Sequence, residues 1–340
     1  MPSNQPLRIE AAPMLGRRRA EWDALVEAMP VPTPFLRSWW LDSVNDRHTS
    51  FLLVLDTDDV LVGGLPVHVR RALGVSLVSL AGSGPLTPDH LDLVAADGRA
   101  DEVGASLDQW RVDQGQVLLD LDGLVENSAL SVRWGPASPL DVAPYRTLTT
   151  REDYLTGLSK SQRYALRRAE NKLFATGVRH RTVDTEEVPA ALEAFRALQE
   201  ARPGREHLVS SLDRLYPRLV AGQALGEVRV DVLASETRTI AVMIAFVVAD
   251  RISLYQVARS TEREDDGAGN VLMHAVFQDV STTDWREIDM LRGAEEYKFK
   301  FVDQARQLWR IRRAYGGRAK AALTLWRLAS AMRGHRPGTG

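Results

Sequence analysis

The chain has 340 residues, about twice the usual domain length, with 44% hydrophobic and 26% charged residues, so two domains with real hydrophobic cores are expected. Its net charge of -2 exerts no global pull on nucleic acid or anionic membrane, and its lack of cysteine excludes disulfides, thiol nucleophiles and Cys-ligated zinc or iron–sulfur centres. The longest apolar run, 240–249, is too short to span a bilayer, and the opening MPSNQPLRIEAAP lacks the charged-then-apolar order of a signal peptide, which points to the cytoplasm.

Taken in order, residues 51–69 (FLLVLDTDDVLVGGLPVHV) alternate apolar and polar positions around a DTDD turn and predict a β-hairpin. A third strand follows at 73–80, then a Gly-containing loop, a helix at 99–110 and a further strand at 116–121. Residues 151–177 predict a helix in which Leu158, Ala165, Leu166, Ala169 and Leu173 share one face and Gly177 terminates it. Its opposite face carries Lys160, Arg163, Arg167, Arg168 and Lys172 against a lone Glu170. Helices at 188–201 and 208–221 flank a Pro203-Gly204 turn. A second hairpin at 228–248, a third strand at 252–258, a Gly-containing loop, a helix at 268–280 and a strand at 287–291 repeat the first pattern. Setting Leu61 against Ile240 gives an offset of 179 residues that also aligns the third strands, which indicates a duplicated α/β unit. From Gln304 onward there are nine Lys/Arg and no Asp/Glu, leaving a net charge of -11 on the rest. That tail predicts a basic helix near 318–333 and a flexible GHRPGTG end, with peripheral contact to a membrane surface or an anionic polymer as one use. The expected division is 1–150, 151–316 and a basic tail at 317–340.

Several chemistries are missing. There is no P-loop, no G-x-S-x-G elbow, no H-E-x-x-H and no complete dinucleotide fingerprint, and the seven histidines lie at no metal-ligand spacing. Acyl transfer without a covalent enzyme intermediate remains, and a duplicated meander–loop–helix–strand unit is the imprint of the GNAT acyltransferase fold. LSKSQRYALRRAENKLFATGV (158–178) and LRGAEEYKFKF (291–301) resemble segments of the CelD/BcsL-like acetyltransferases, relatives of the Fem-type aminoacyl-transferases of peptidoglycan synthesis. The family patterns L-S-K-x-x-R-x-x-L-R-R and G-x-x-x-Y-K keep Lys160, Arg163, Arg167, Arg168, Gly293, Tyr297 and Lys298 here. The resemblance, over roughly residues 33–315, implies an α/β (α+β) fold of two tandem GNAT-like domains with mixed, mainly antiparallel sheets. It implies acetyl-CoA or another acyl-CoA as co-substrate, no tightly bound cofactor, and an amine acceptor on a sugar, cell-envelope precursor or specialised metabolite. A Fem-like transferase using aminoacyl-tRNA and a non-catalytic binding module are the alternatives. The oligomeric state is open.

Each candidate residue has its own chemistry. Lys160, Arg163 and Arg167 form a row of cations suited to substrate phosphates, or to carboxylates of a neighbouring domain. Gly267, Gly269 and Asn270 open the helix at 268–280, where backbone N–H groups and close approach suit a pyrophosphate. Acidic Asp265 and Asp266 beside them oppose that use. Tyr297 is the candidate general acid for a departing thiolate, on the first turns of a helix after the penultimate strand. Lys298 is a candidate phosphate or carbonyl ligand, and Glu295 or Glu296 a candidate base. Asp89, His90 and Asp92 suggest an acceptor pocket with His90 as acid or base, or else an ordinary loop. Arg202, Arg205 and Arg259 suit either an anionic substrate or domain packing, and Trp39-Trp40 belongs to the core.

Overall fold

The structure is a computed structural model that describes residues 7–83, 86–148, 158–281 and 283–334. The start of the helix expected at 151–177, residues 151–157, and the end of the tail, 335–340, lie outside the described residues. In chain order the elements are β1 (Arg8–Ala12), α1 (Arg19–Glu27), α2 (Ser38–Val44), β2 (Thr49–Leu55), β3 (Leu61–Ala72), β4 (Val75–Leu80), β5 (Val94–Ala95), α3 (Ala100–Asp113), β6 (Val117–Leu124) and α4 (Ala129–Trp134). They continue with β7 (Ser138–Thr147), α5 (Lys160–Phe174), β8 (Arg179–Thr182), α6 (Val188–Glu200), α7 (Glu206–Ala224), β9 (Val228–Ala234), β10 (Thr239–Val248), β11 (Arg251–Arg259), α8 (Ala268–Val280) and β12 (Glu287–Asp289). The last two are β13 (Gln304–Tyr315) and α9 (Gly317–Gly334). No helix among the described residues is long and apolar enough to cross a membrane.

The chain divides into two compact units, 1–31 with 35–140 and 308–340, and 32–34 with 141–307. In the first, the strand order is β1-β2-β3-β4-β6-β13, antiparallel except for the parallel pair β4–β6. In the second it is β8-β9-β10-β11-β12-β7, antiparallel except for the parallel pair β11–β12. Both are mixed, mainly antiparallel α/β units that share a three-strand meander followed by a helix and a parallel strand. The final strand of each has been exchanged. β7 follows the first pattern in sequence but pairs with β12, Thr147 opposite Glu287, and β13 pairs with β6, Ile311 opposite Leu121. For that reason the units part at 140/141 rather than at 150, and the basic tail belongs to the first unit.

The cores follow from the sequence. Trp22, Trp40, Trp134 and Phe51 are wholly buried in the first unit, and Trp39 and Trp40 meet edge-on at 5.9 Å. In the second, nearly every residue of β10 is buried, the mark of a strand covered on both faces, and α6 and α8 both pack on it. β9 carries buried Asp231, which accepts from Arg229, His180 and Thr182, while Arg229 also pairs with Asp279 of α8. Burial alone would raise the Asp231 pKa, but Arg229 and His180 together pull it below the usual carboxylate value.

Candidate active site in the second unit

Two departures from a regular sheet shape the centre of the second unit. The β10–β11 register passes from Ile244 opposite Gln256 to Ala245 opposite Leu254, so Tyr255 is an extra residue, a β-bulge, and its ring stacks on Phe246 at 4.7 Å. The parallel pairing of β11 with β12 covers only Arg251–Ser253 against Glu287–Asp289 and then stops. At that paired end Arg251 and Arg306 both engage Glu287, and the Arg306 guanidinium lies 3.5 Å from the Tyr145 ring centroid. The paired end is therefore pinned by charge; β12 ends there, while β11 runs on to Arg259.

α8 begins where β11 ends. Gly267 caps it at φ +93, a left-handed conformation that L side chains avoid, and a Cβ there would meet the Ala169 Cβ of α5 at 3.2 Å. The first intrahelical bond runs from Val271 N to Gly267 O, so among the described residues the N–H groups of Ala268, Gly269 and Asn270 have no acceptor. A cavity of about 350 Å³ opens beside them, lined by Gly267 and Asn270, by Ala165 and Ala169 of α5, and by Lys300 and Phe301. Of the acidic pair before the helix, Asp266 is exposed and only Asp265 is neutralised. Asp265 is buried and accepts 2.5 and 2.9 Å hydrogen bonds from Arg238, which also meets Glu262 at 2.9 Å.

α5 starts with a reciprocal capping box between Ser159 and Gln162. Arg163 donates 2.7 Å to Leu158 O and is partly buried. Lys160, Arg167 and Arg168 are exposed, and among the described residues none of the three meets a carboxylate. The expected pairing of this face with carboxylates is therefore absent for these three within the described residues.

After β12 the chain makes a tight turn rather than the expected helix; a single 3-10 turn, Lys298–Lys300, is all the helix that forms. Asp289 Oδ1 accepts 2.7 Å from Leu291 N, and Leu291 sits at φ +54. Gly293 sits at φ +121, a conformation that L side chains rarely adopt, and the Glu295 carboxylate folds over it. Lys298 is 5% exposed, and its Nζ donates to Leu291 O at 3.1 Å and Arg292 O at 2.6 Å and pairs with Glu295 at 3.1 Å. Three donors meet three acceptors. The Lys298 ammonium therefore holds the turn, which corrects the expectation that it grips a phosphate or a carbonyl, and Glu295 is committed to it. What the turn presents is Tyr297, 41% exposed. Burial, then the nearby Glu295 carboxylate, raise the Tyr297 pKa above its ordinary 10.0, so the phenol keeps its proton.

Arg202, Arg205 and Arg259 come to the same neighbourhood. Arg202 and Arg205 lie close enough to Tyr297 to act on its ionisation, and Arg202 feels both Arg205 and Arg259. Arg259 ends β11 and runs over α8, its Cδ 3.0 Å from where a Gly269 Cβ would stand. The structure thus brings together Tyr297, Glu295, Lys298, Arg202, Arg259 and Gly269, with Gly267 and Asn270 on the adjoining cavity.

Asp89, His90 and Asp92 lie in the first unit. Asp92 caps α4, accepting from Ser128 Oγ at 2.8 Å, Ala129 N at 2.7 Å and Leu130 N at 3.2 Å, and burial raises its pKa despite them. That is a structural task in place of the expected acceptor contact. Asp89 and His90 are wholly buried, with His90 at φ +57, so the expected acceptor pocket is replaced by a packed, capped turn. Sequence reasoning missed Gln199, which is wholly buried and donates 3.2 Å to Val257 O while its Oε1 accepts from Arg202 Nη1 at 3.4 Å. A glutamine on the apolar face of α6 was the available signal.

Residues 160–299, which hold most of this site, match the family described as the acetyltransferase (GNAT) domain. Solved structures share the fold across nearly the whole chain. A conserved protein of unknown function from Bacteroides thetaiotaomicron is 11% identical, over 91% of this chain and 100% of its own, with a TM-score of 0.62. FemX is 10% identical over 88% of this chain and 96% of its own, with a TM-score of 0.60. L-PGS from Bacillus licheniformis is 14% identical over 87% and 91%, with a TM-score of 0.54. No curated protein matches the sequence.

Proposed function

We propose that the protein is an N-acyltransferase that moves an acyl group, most simply acetyl, from acyl-CoA to an amine of a sugar, cell-envelope precursor or specialised metabolite, as the CelD/BcsL-like resemblance of its two motifs implies. One observation carries the reading: β11 loses its parallel partner after Ser253 and runs on to Arg259, whose side chain lies over Gly269 beside the open N–H groups of α8. A strand edge without its partner leaves backbone donors and acceptors for an extended, amide-bearing chain such as pantetheine, and a helix N-terminus favours the diphosphate that follows it. The neutralisation of Asp265 by Arg238 removes one of the two charges that oppose an anion there.

In the reaction the amine nitrogen attacks the thioester carbonyl, a C–N bond forms, and the C–S bond breaks. Tyr297, held protonated, gives its proton to the departing thiolate, and solvent restores it as the new amide loses the ammonium proton. Backbone N–H groups on that edge of β11 stabilise the oxyanion, and alignment supplies the rest. Calorimetric titration tests the reading. Saturable acetyl-CoA binding is expected; binding of an aminoacyl-tRNA instead would select the Fem-like alternative, and binding of neither a non-catalytic module.

A further inference from the structure

Several arginines of the second unit have acids opposite them. Arg229 meets Asp231, Arg238 meets Asp265, and Arg251 and Arg306 meet Glu287. Arg202, Arg205 and Arg259 are different: among the described residues none of their guanidinium groups is paired with a carboxylate. Yet they are gathered, not scattered. The turn between α6 and α7, with Gly204 at φ +76, brings Arg202 and Arg205 to one place, and Arg259 reaches it from the end of β11.

Gln199 shows that the gathering is built. Its amide is wholly buried, and it ties the Arg202 guanidinium to the backbone of Val257, two residues before Arg259 and two after the Tyr255 bulge. A partly buried guanidinium held beside two like charges costs free energy unless an anion completes it, and guanidinium forks match carboxylate and phosphate oxygens in pairs. Burial and the two neighbouring arginines accordingly hold the Arg202 pKa below its ordinary value.

We propose that Arg202, Arg205 and Arg259 form an anion site that holds a carboxylate or phosphate of the acyl acceptor beside Tyr297, so that the acceptor is an amine carrying its own negative charge. The proposal rests on the acyl-transfer reading above and adds the acceptor's chemical class to it. The acyl donor also carries phosphates, but the open N–H groups of Ala268, Gly269 and Asn270 and the cavity beside them already offer those a place. With the donor diphosphate on the helix, the arginine trio is left for the second substrate. Its fixed charge would orient the amine toward the thioester carbonyl and reject neutral amines of the same shape.

The test titrates inorganic phosphate by calorimetry into the wild-type protein and the Arg202→Gln/Arg205→Gln variant, each with and without saturating acetyl-CoA, and titrates acetyl-CoA alone into both. Neither arginine makes an ion pair, so the variant should keep the wild-type melting temperature. Phosphate should bind the wild type whether or not acetyl-CoA is present, and bind the variant at least about tenfold more weakly. Acetyl-CoA affinity should be the same in both. Absence of phosphate binding to the wild type, or equal binding to both proteins, overturns the site. Displacement of phosphate by acetyl-CoA, with a matching loss of acetyl-CoA affinity in the variant, gives the trio to the donor and overturns its assignment to the acceptor. Failure of acetyl-CoA to bind the wild type refutes the donor reading, and with it the acceptor assignment, while the phosphate comparison still reports separately on the anion site.

Discussion

Replacing Lys298 by Met separates a turn-holding lysine from a substrate-holding one. Met keeps most of the stem's volume but removes an ammonium whose donors meet Leu291 O, Arg292 O and Glu295. A hydrogen bond from a charged donor contributes about 1.5–3 kcal/mol. The ion pair adds little, because the Glu295 side chain is 56% exposed and screened. Against that loss stands the recovered desolvation of a buried ammonium. The net cost should be about 2–3 kcal/mol, enough to lower the melting temperature by roughly 5–10 °C in a domain of this size. Leu291 is also held at φ +54, and without the grip on its carbonyl the turn can relax and carry Tyr297 away. Thermal unfolding followed by circular dichroism, with steady-state kinetics at a permissive temperature, should show lower stability and lower kcat at a nearly constant KM for acetyl-CoA. An unchanged melting temperature together with a KM raised tenfold or more would return Lys298 to the phosphates and refute this account of the turn.

Tyr297→Phe should lower kcat by at least about 100-fold with KM little changed, and because the Tyr297 pKa is raised, the wild-type alkaline limb should fall above pH 10.0; near-native turnover in the variant would remove Tyr297 from the chemistry. Asp231→Asn should cost about 3–5 kcal/mol by leaving Arg229 without its buried partner, measured by urea denaturation. The Asp231 pKa is depressed in the folded state, so its contribution is present above about pH 3.9 and is lost as pH falls through the folded value; the difference between wild type and variant should shrink below that pH, and a constant difference would contradict the assignment. Charge reversal of Lys160 and Arg167 to Glu should leave stability unchanged, since both are exposed, and raise the KM of one substrate in a salt-dependent way. Unchanged Michaelis constants for both substrates at low salt would make that face ordinary solvated surface.

The repeated meander was legible because its strands bury one or both faces. The hairpins expected at 51–69 and 228–248 are β2–β3 and β9–β10, and the helix expected at 268–280 is α8. β1 and β8 were not legible: RIEAA and RHRT are short and mostly exposed, and carry no apolar alternation. Pro139 and Pro144 hid β7, and dense arginine hid β13. Periodicity finds a strand without saying which sheet it joins, so the exchange of β7 and β13 had no signature. At the candidate site, Tyr297, Arg202 and Arg259 were singled out by residue type and position, and the fold brings them to one neighbourhood. The fate of Lys298 was not legible, because carbonyls made available by a turn at Leu291 and Arg292 are a tertiary fact.

The exchanged strands bear on how the chain is made. Asp120 of β6 bonds Arg310 of β13, 190 positions later, so the first sheet cannot close until nearly the whole polypeptide has left the ribosome. Until then the β6 edge is an open row of amide groups, the template on which nascent chains cross-pair. Such remote pairing has to bear its loop-closure entropy before any contact rewards it, which slows folding. A gene cut between the repeats would yield a first half that lacks the strand to cover β6 and carries β7 without its partner. Each unit thus takes its last strand from the other half of the chain, and the two are obliged to mature together.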